Sequence, residues 1–217
     1  MNWAYFARSV RHLSAGQLVA RYAYRGVNRL VDVKLYHGLC LRPEGAREPP
    51  PPSVMVEYRC VAPERLREEA ADPQSGLLAE DLEAALADGE ECFGAFIGDV
   101  LASYLWFSPS RAHLQGNVFV RFDPAFAYSR WAFTRTSYRG LRLNALCKRR
   151  ALDVFSTRGK RGILSVVSAI NFDSLKSATR VGSERVGLLG AASVVGARAV
   201  WASAGCKAPD LRLERSA

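Results

Sequence analysis

Between a strand-like run ending near Thr134 and a helix-like run beginning near Leu143 stands Arg139-Gly140-Leu141-Arg142-Leu143-Asn144. At such a junction the first amides of the helix lack partners within it and point outward, with the positive end of the helix dipole behind them. Two guanidinium groups add full charges and a glycine eases close backbone approach, so the hexapeptide has the chemistry of a pyrophosphate site. Further on, Asn171 precedes Phe-Asp-Ser174 where it can cap a helix over 171–181. Other reaction chemistries leave no trace. There is no Gly-x-Ser-x-Gly elbow, no Gly-Lys-Ser/Thr phosphate loop and no His-Glu-x-x-His, while His12, His37 and His113 are scattered. Five cysteines (Cys40, Cys60, Cys92, Cys147, Cys206) with no C-x-x-C pair imply neither a disulfide framework nor a zinc site, and no metal is expected.

The elements that must position these residues follow from periodicity. Ala127–Thr134 alternates as a strand, 141–155 carries Leu143, Leu146, Leu152 and Phe155 at helical spacing, and 162–167 is a further strand. Upstream, 54–61 reads as a first strand, Pro63 opens a helix at its first turn, and Ala79–Ala87 is helical. Two apolar runs, 92–97 and 100–107, flank Gly98-Asp99, a strong hairpin signal. Strand material at 185–189 and 199–202 closes the order, which is an α+β layout with a mixed sheet. The segment 108–126 shows no selective pattern.

Ahead of this unit Ser14-Ala-Gly-Gln17 has the spacing of a capping box and predicts a helix over 16–35. Val19, Tyr22, Ala23, Val27, Leu30 and Val31 form its apolar stripe and Arg21, Arg25 and Arg29 a basic ladder. Two readings stay open for it: packing on the domain with a solvated arginine face, or lying on an anionic membrane surface through residues 14–35. Four prolines, Pro49 to Pro52, mark a linker. The expected organisation is therefore a basic helical extension (1–47), a proline-rich linker (48–53), a main domain (54–205) and a tail (206–217).

The chain has 217 residues and a net charge of +9, unevenly spread: residues 1–47 hold 8 basic and 2 acidic side chains, 48–91 hold 3 and 12, and 92–217 hold 19 and 7. Basic ends suit an anionic partner, whether cofactor phosphates or a lipid surface. Nucleic acid is not expected, because the basic residues match no reading motif and stacking aromatics are not interleaved with them. Arg8, Arg11 and His12 interrupt the N-terminal apolar residues, so no signal peptide is expected. The thiols fit a reducing compartment, and a cytoplasmic protein is expected, at the inner face of a membrane if the first helix binds lipid. The charge-free run 186–197 reads as buried strand material, too short to span a bilayer.

From residue 54 to about 202 this order resembles the GNAT superfamily of N-acetyltransferases. The span 127–155 is similar to the family's motif A, in which a strand leads into an Arg-Gly-x-Gly-x-Gly loop that cradles the CoA pyrophosphate. Arg139 and Gly140 match, whereas Arg142 and Asn144 stand where later glycines are usual. Asn171, Ser174 and Gly182 match motif B, with Ser183 in place of an aromatic residue. The resemblance implies a mostly antiparallel central sheet flanked by helices, with a CoA thioester held between two splayed strands and attacked directly by an amine. It implies contacts to acetyl-CoA or another acyl-CoA from the Phe133 and Thr134 backbone and from Arg139, Gly140, Leu141, Arg142, Leu143, Asn144, Asn171 and Ser174. The tyrosine that often protonates the leaving thiolate is replaced by Ala178. Base candidates toward the acceptor side are Asp123, Tyr128 and His113, in that order, with water as the alternative; each also has a plain structural reading as turn, core and loop residue. The acceptor stays open among small-molecule and peptide amines. An acyl-carrier-protein donor, or a catalytically degenerate domain acting as a membrane-associated binding module, are the other readings the departures leave open.

Overall fold

Eight strands in the order β10-β9-β1-β8-β7-β4-β3-β2 form the central sheet of the computed structural model, which describes residues 14–28, 31–194 and 197–215. They are β1 (Asp32–Leu41), β2 (Glu57–Cys60), β3 (Glu91–Ile97), β4 (Val100–Ser108), β7 (Ala127–Thr134), β8 (Ile163–Ser168), β9 (Glu184–Val194) and β10 (Ala197–Ala202). A second sheet, β11-β6-β5, is built from β5 (Arg111–Gln115), β6 (Val118–Arg121) and β11 (Arg212–Arg215). The helices are α1 (Ala15–Val27), α2 (Pro63–Ala70), α3 (Ala79–Ala87), α4 (Leu143–Thr157) and α5 (Phe172–Arg180). Among the described residues every pairing is antiparallel except that of β7 with β8. The mixed, mostly antiparallel sheet flanked by helices expected from the sequence is present.

Helix α4 covers one face of the sheet. Its Leu143, Leu152 and Phe155 pack on Phe93, Leu105, Phe107 and Ile163, with the Phe107 and Phe155 rings 4.8 Å apart. Each such side chain removed from water contributes about 1.5–3 kcal/mol before entropy is counted, which locks α4 beneath the strands it follows and precedes. On the opposite face α2 and α3 cover the β2 to β4 half through Leu66, Leu82, Phe96 and Trp106. The small sheet covers the other half, where Val120 and Phe122 meet Tyr128, Leu164 and Leu189.

The capping box forms as the spacing predicts: Gln17 N donates to Ser14 Oγ, and Ser14 N donates to Gln17 Oε1 at 2.9 Å. The helix expected over 16–35, however, ends at Val27. Asn28 stops it by donating to the Tyr24 carbonyl at 2.9 Å and accepting from the Val33 amide at 3.0 Å, which turns the chain into β1. From Val31 onward the apolar positions recur every second residue against Asp32 and Lys34, a strand period that the helical reading overran. Residues 32–41 are thus no helical extension: they sit in the sheet between β8 and β9. Likewise 212–215 are strand β11 and not tail, the first strand after the prolines starts at Glu57, and the patternless 108–126 contains β5 and β6. Helix α1 docks through buried Arg21, whose guanidinium donates to the Ile170 carbonyl at 3.2 Å and stacks over Phe172. Val19, Tyr22 and Val27 remain exposed.

Candidate functional site

Strands β7 and β8 are bonded only at Ala127↔Ile163 and Tyr128↔Leu164. Beyond that pair they part. The β8-facing edge of 129–134 and the β7-facing edge of 165–168 therefore have no ladder partner from each other, and backbone donors and acceptors along them face a cleft of about 910 Å3. An internal sheet edge opened in this way suits an extended chain carrying amide groups, which can bond to it as an added strand would. Six extended residues span roughly 20 Å, the reach of a long, narrow substrate arm. On its other side β7 carries one residue more than β4: Leu105 faces Ala132 but Phe107 faces Ser129. Such a bulge lifts a backbone group out of register near Arg130 and Trp131.

The wide end of the cleft is the loop into α4. Arg142 caps that helix with φ 61 and ψ 20, a left-handed conformation unusual for a side chain with a Cβ. The backbone here takes a shape that glycine favours, at a cost of about 1 kcal/mol, while the position carries a guanidinium. Gly140 has φ 93. No side chain caps the α4 N-terminus, and Leu143, Asn144 and Ala145 of its first turn line the cleft with Arg139 and Arg142. Arg139 Nε donates to the Thr134 carbonyl at 3.3 Å. The loop is anchored by Arg135, which donates to Asp72 at 2.5 Å, to buried Glu69 at 2.6 Å and to the Leu101 carbonyl at 3.0 Å.

At the closed end lie two buried polar groups. Lys148, 7% exposed, reaches up from α4 so that its Nζ donates to Ser165 Oγ at 3.0 Å, one residue past the last β7 to β8 pair. Both line the cleft. Burial pulls the Lys148 ammonium down from 10.5 to about 8. Arg130 also lines the cleft and forms a 3.1 Å ion pair with Glu90, whose other oxygen accepts from Ser108 at 2.6 Å. Burial raises the Glu90 carboxyl, with the Ser108 hydrogen bond and the Arg130 charge opposing it.

Of the residues singled out from sequence, Phe133, Thr134, Arg139, Gly140, Arg142, Leu143, Asn144, Asn171 and Ser174 line this one cleft. Asn171 caps α5 by accepting from the Ser174 amide at 3.2 Å. Leu141 turns instead onto the core under α4. Phe133 and Thr134 stay in register with Tyr104 and Ser103, so the bulge lies nearer the closed end than the two amides expected to polarise a carbonyl. The three base candidates lie elsewhere. Asp123 Oδ1 accepts from the Ala125 amide at 2.8 Å, an Asx turn. Tyr128 is fully buried, stacked on Phe122, and burial raises its hydroxyl further out of range. His113 Nε2 meets the Gly116 carbonyl at 2.7 Å in the β5 to β6 hairpin. None of them lines the cleft, so each keeps its structural role.

In three dimensions the chain is similar to a Drosophila protein, at 16% identity and a TM-score of 0.52, over 85% of this chain and 59% of that one. It is also similar to a putative acetyltransferase of the GNAT family from Novosphingobium aromaticivorans (16% identity, TM-score 0.47, 86% and 67% of the two chains). A third is AAC(6')-Iy in complex with the bisubstrate analogue CoA-S-monomethyl-acetylneamine (17% identity, TM-score 0.46, 59% and 90%). The likeness to the Drosophila protein is one of fold, and the chain spans 59% of that protein's length. No protein-family model matches the sequence, and no curated protein matches it.

Sequence reasoning missed Lys148, Ser165, Arg130 and Glu90. Lys148 lies in the basic run Lys148-Arg149-Arg150, and a lysine among arginines draws no attention as a buried residue. Yet Arg149 and Arg150 pair outside with Glu48 and Asp153, and Lys148 alone of the three points inward. The available signal was helical phase: Lys148 falls between Ala145 and Ala151 on the apolar stripe.

Proposed function

We propose that the chain is a GNAT-type N-acyltransferase that moves an acyl group from a CoA thioester to an amine by direct attack. The observation that carries this reading is the parting of β7 and β8, which opens one continuous cleft from a basic helix N-terminus to a buried closed end. Phosphates fit the wide end, where Arg139, Arg142 and the first amides of α4 supply charge and donors. A pantetheine arm fits the free strand edges, and the thioester then falls near Ser129, the bulge and Ser165. Amides freed at the bulge are suited to polarise the carbonyl, and holding the donor rigid supplies much of the rate gain. The acceptor amine loses its proton to water in this reading, since none of Asp123, Tyr128 and His113 lines the cleft. Calorimetry with acetyl-CoA tests the reading: wild type binds, and Arg139→Ala binds at least tenfold more weakly; equal affinities would remove the pyrophosphate site.

A membrane surface is a second element of the reading, favoured by Val19, Tyr22 and Val27 standing exposed on the basic α1. Removing residues 1–47 would take β1 out of the sheet, so the test compares the full chain with one lacking residues 1–28. Equal sedimentation with anionic liposomes sets this element aside.

A further inference from the structure

Ser165 and Lys148 form a pair for which neither the fold nor packing gives a use. Ser165 Oγ accepts from Lys148 Nζ, which fixes the direction of that bond and leaves the serine hydrogen to point elsewhere. Among the described residues no acceptor for it is found, and no carboxylate forms an ion pair with the ammonium. The charged and titratable groups around Lys148 are Cys40 on β1, whose thiol burial holds neutral, and, lining the same cleft, Arg130 on β7, Tyr138, Arg139 and Arg142 in the loop and Asp173 on α5. On its own helix Arg149 and Arg150 are engaged outside with Glu48 and Asp153. Among the described residues this buried ammonium has its serine as hydrogen-bond partner, at the point where the two strands close.

We infer that Ser165 and Lys148 form a proton relay that protonates the thiolate leaving the donor, at the closed end of the cleft. This rests on the acyltransferase reading above and gives the step a proton source in a chain where Ala178 offers none. In the forward step the amine nitrogen bonds to the acyl carbon and the carbon to sulfur bond breaks. Sulfur takes the Ser165 hydroxyl hydrogen, and Ser165 takes one from the Lys148 ammonium. Neutral Lys148 recovers its proton by way of water from the nitrogen that has become the amide. The sum is thioester plus amine giving amide plus thiol. Position supports it: Ser165 is the first β8 residue beyond the last pair with β7, so a chain whose phosphates lie at Arg139 and Arg142 brings its far end there. The lowered affinity of Lys148 for its proton suits a donor that must also be recharged near neutral pH.

The relay can be read without knowing the acceptor, because a group that donates to the leaving sulfur also stabilises the thiolate of bound free CoA. The measurement is the ultraviolet thiolate absorbance of CoA, against a desulfo-CoA blank, titrated on wild type, Lys148→Met and Ser165→Ala, with calorimetry of the same complexes. CoA should bind all three with affinities within about threefold, while its thiol titrates at least one pH unit lower on wild type than on Lys148→Met, with Ser165→Ala between them. Superimposable titrations on wild type and Lys148→Met overturn the relay and leave the acyltransferase reading standing. Failure of wild type to bind CoA overturns both. Should Lys148→Met not fold, Ser165→Ala decides by the same comparison with wild type.

Discussion

Replacing Lys148 by methionine should make the folded protein more stable at neutral pH, contrary to the usual effect of altering a buried residue. Burial holds the ammonium in the folded state at about 8 against 10.5 for a free lysine, and the side chain is only 7% exposed. A difference of that size corresponds to roughly 3 kcal/mol of lost stability wherever both states are protonated, that is, below about pH 8. Methionine keeps the length and apolar stem, and loses one hydrogen bond to Ser165 worth about 1 kcal/mol. A net gain of about 2 kcal/mol is expected at pH 7. The sign with pH follows from proton counting. Between 8 and 10.5 the unfolded chain binds more protons than the folded one, so the lysine's contribution to stability rises with pH across that window. Urea unfolding of both proteins at several pH values reads this directly: the methionine variant leads at pH 7 and loses its lead by pH 10. A variant that is less stable at pH 7 by a constant amount at every pH would refute the argument, since it would mean the ammonium is well solvated or paired.

Three further outcomes are expected. Arg142→Gly should raise stability by about 0.5–1 kcal/mol, because φ 61 suits glycine, while weakening CoA binding several-fold through the lost guanidinium; thermal unfolding and calorimetry give the two halves. Arg135→Ala should lower stability by about 3 kcal/mol in urea unfolding, since Glu69 and Asp72 lose a shared partner and Glu69 is buried. Gly182→Ala should lower it by at least about 2 kcal/mol, as φ 89 is strained for alanine and a Cβ there would lie 2.0 Å from the Gly45 carbonyl oxygen.

What the sequence determined by itself is what short-range physics decides. The Ser14 and Gln17 capping box, the hairpin around Gly98-Asp99, the span of α3 and the span of β7 all follow from spacing, because caps, turns and apolar periods involve residues within a few positions of one another. The loop at Arg139 to Asn144 was legible for the same reason: a strand, a glycine and a helix start are local facts. Only the tertiary structure decided which strand edges pair. Periodicity reports which face of a strand is apolar but says nothing of its neighbours, so the entry of β1 between β8 and β9 was not legible, and two splayed strands were expected from the family resemblance alone, not from any pattern within β7 or β8. Nor was the meeting of Lys148 with Ser165, 17 positions apart. A lysine's charge in water and its charge beneath a sheet are the same letter in the sequence, and the difference arises from the desolvation that distant strands impose on it.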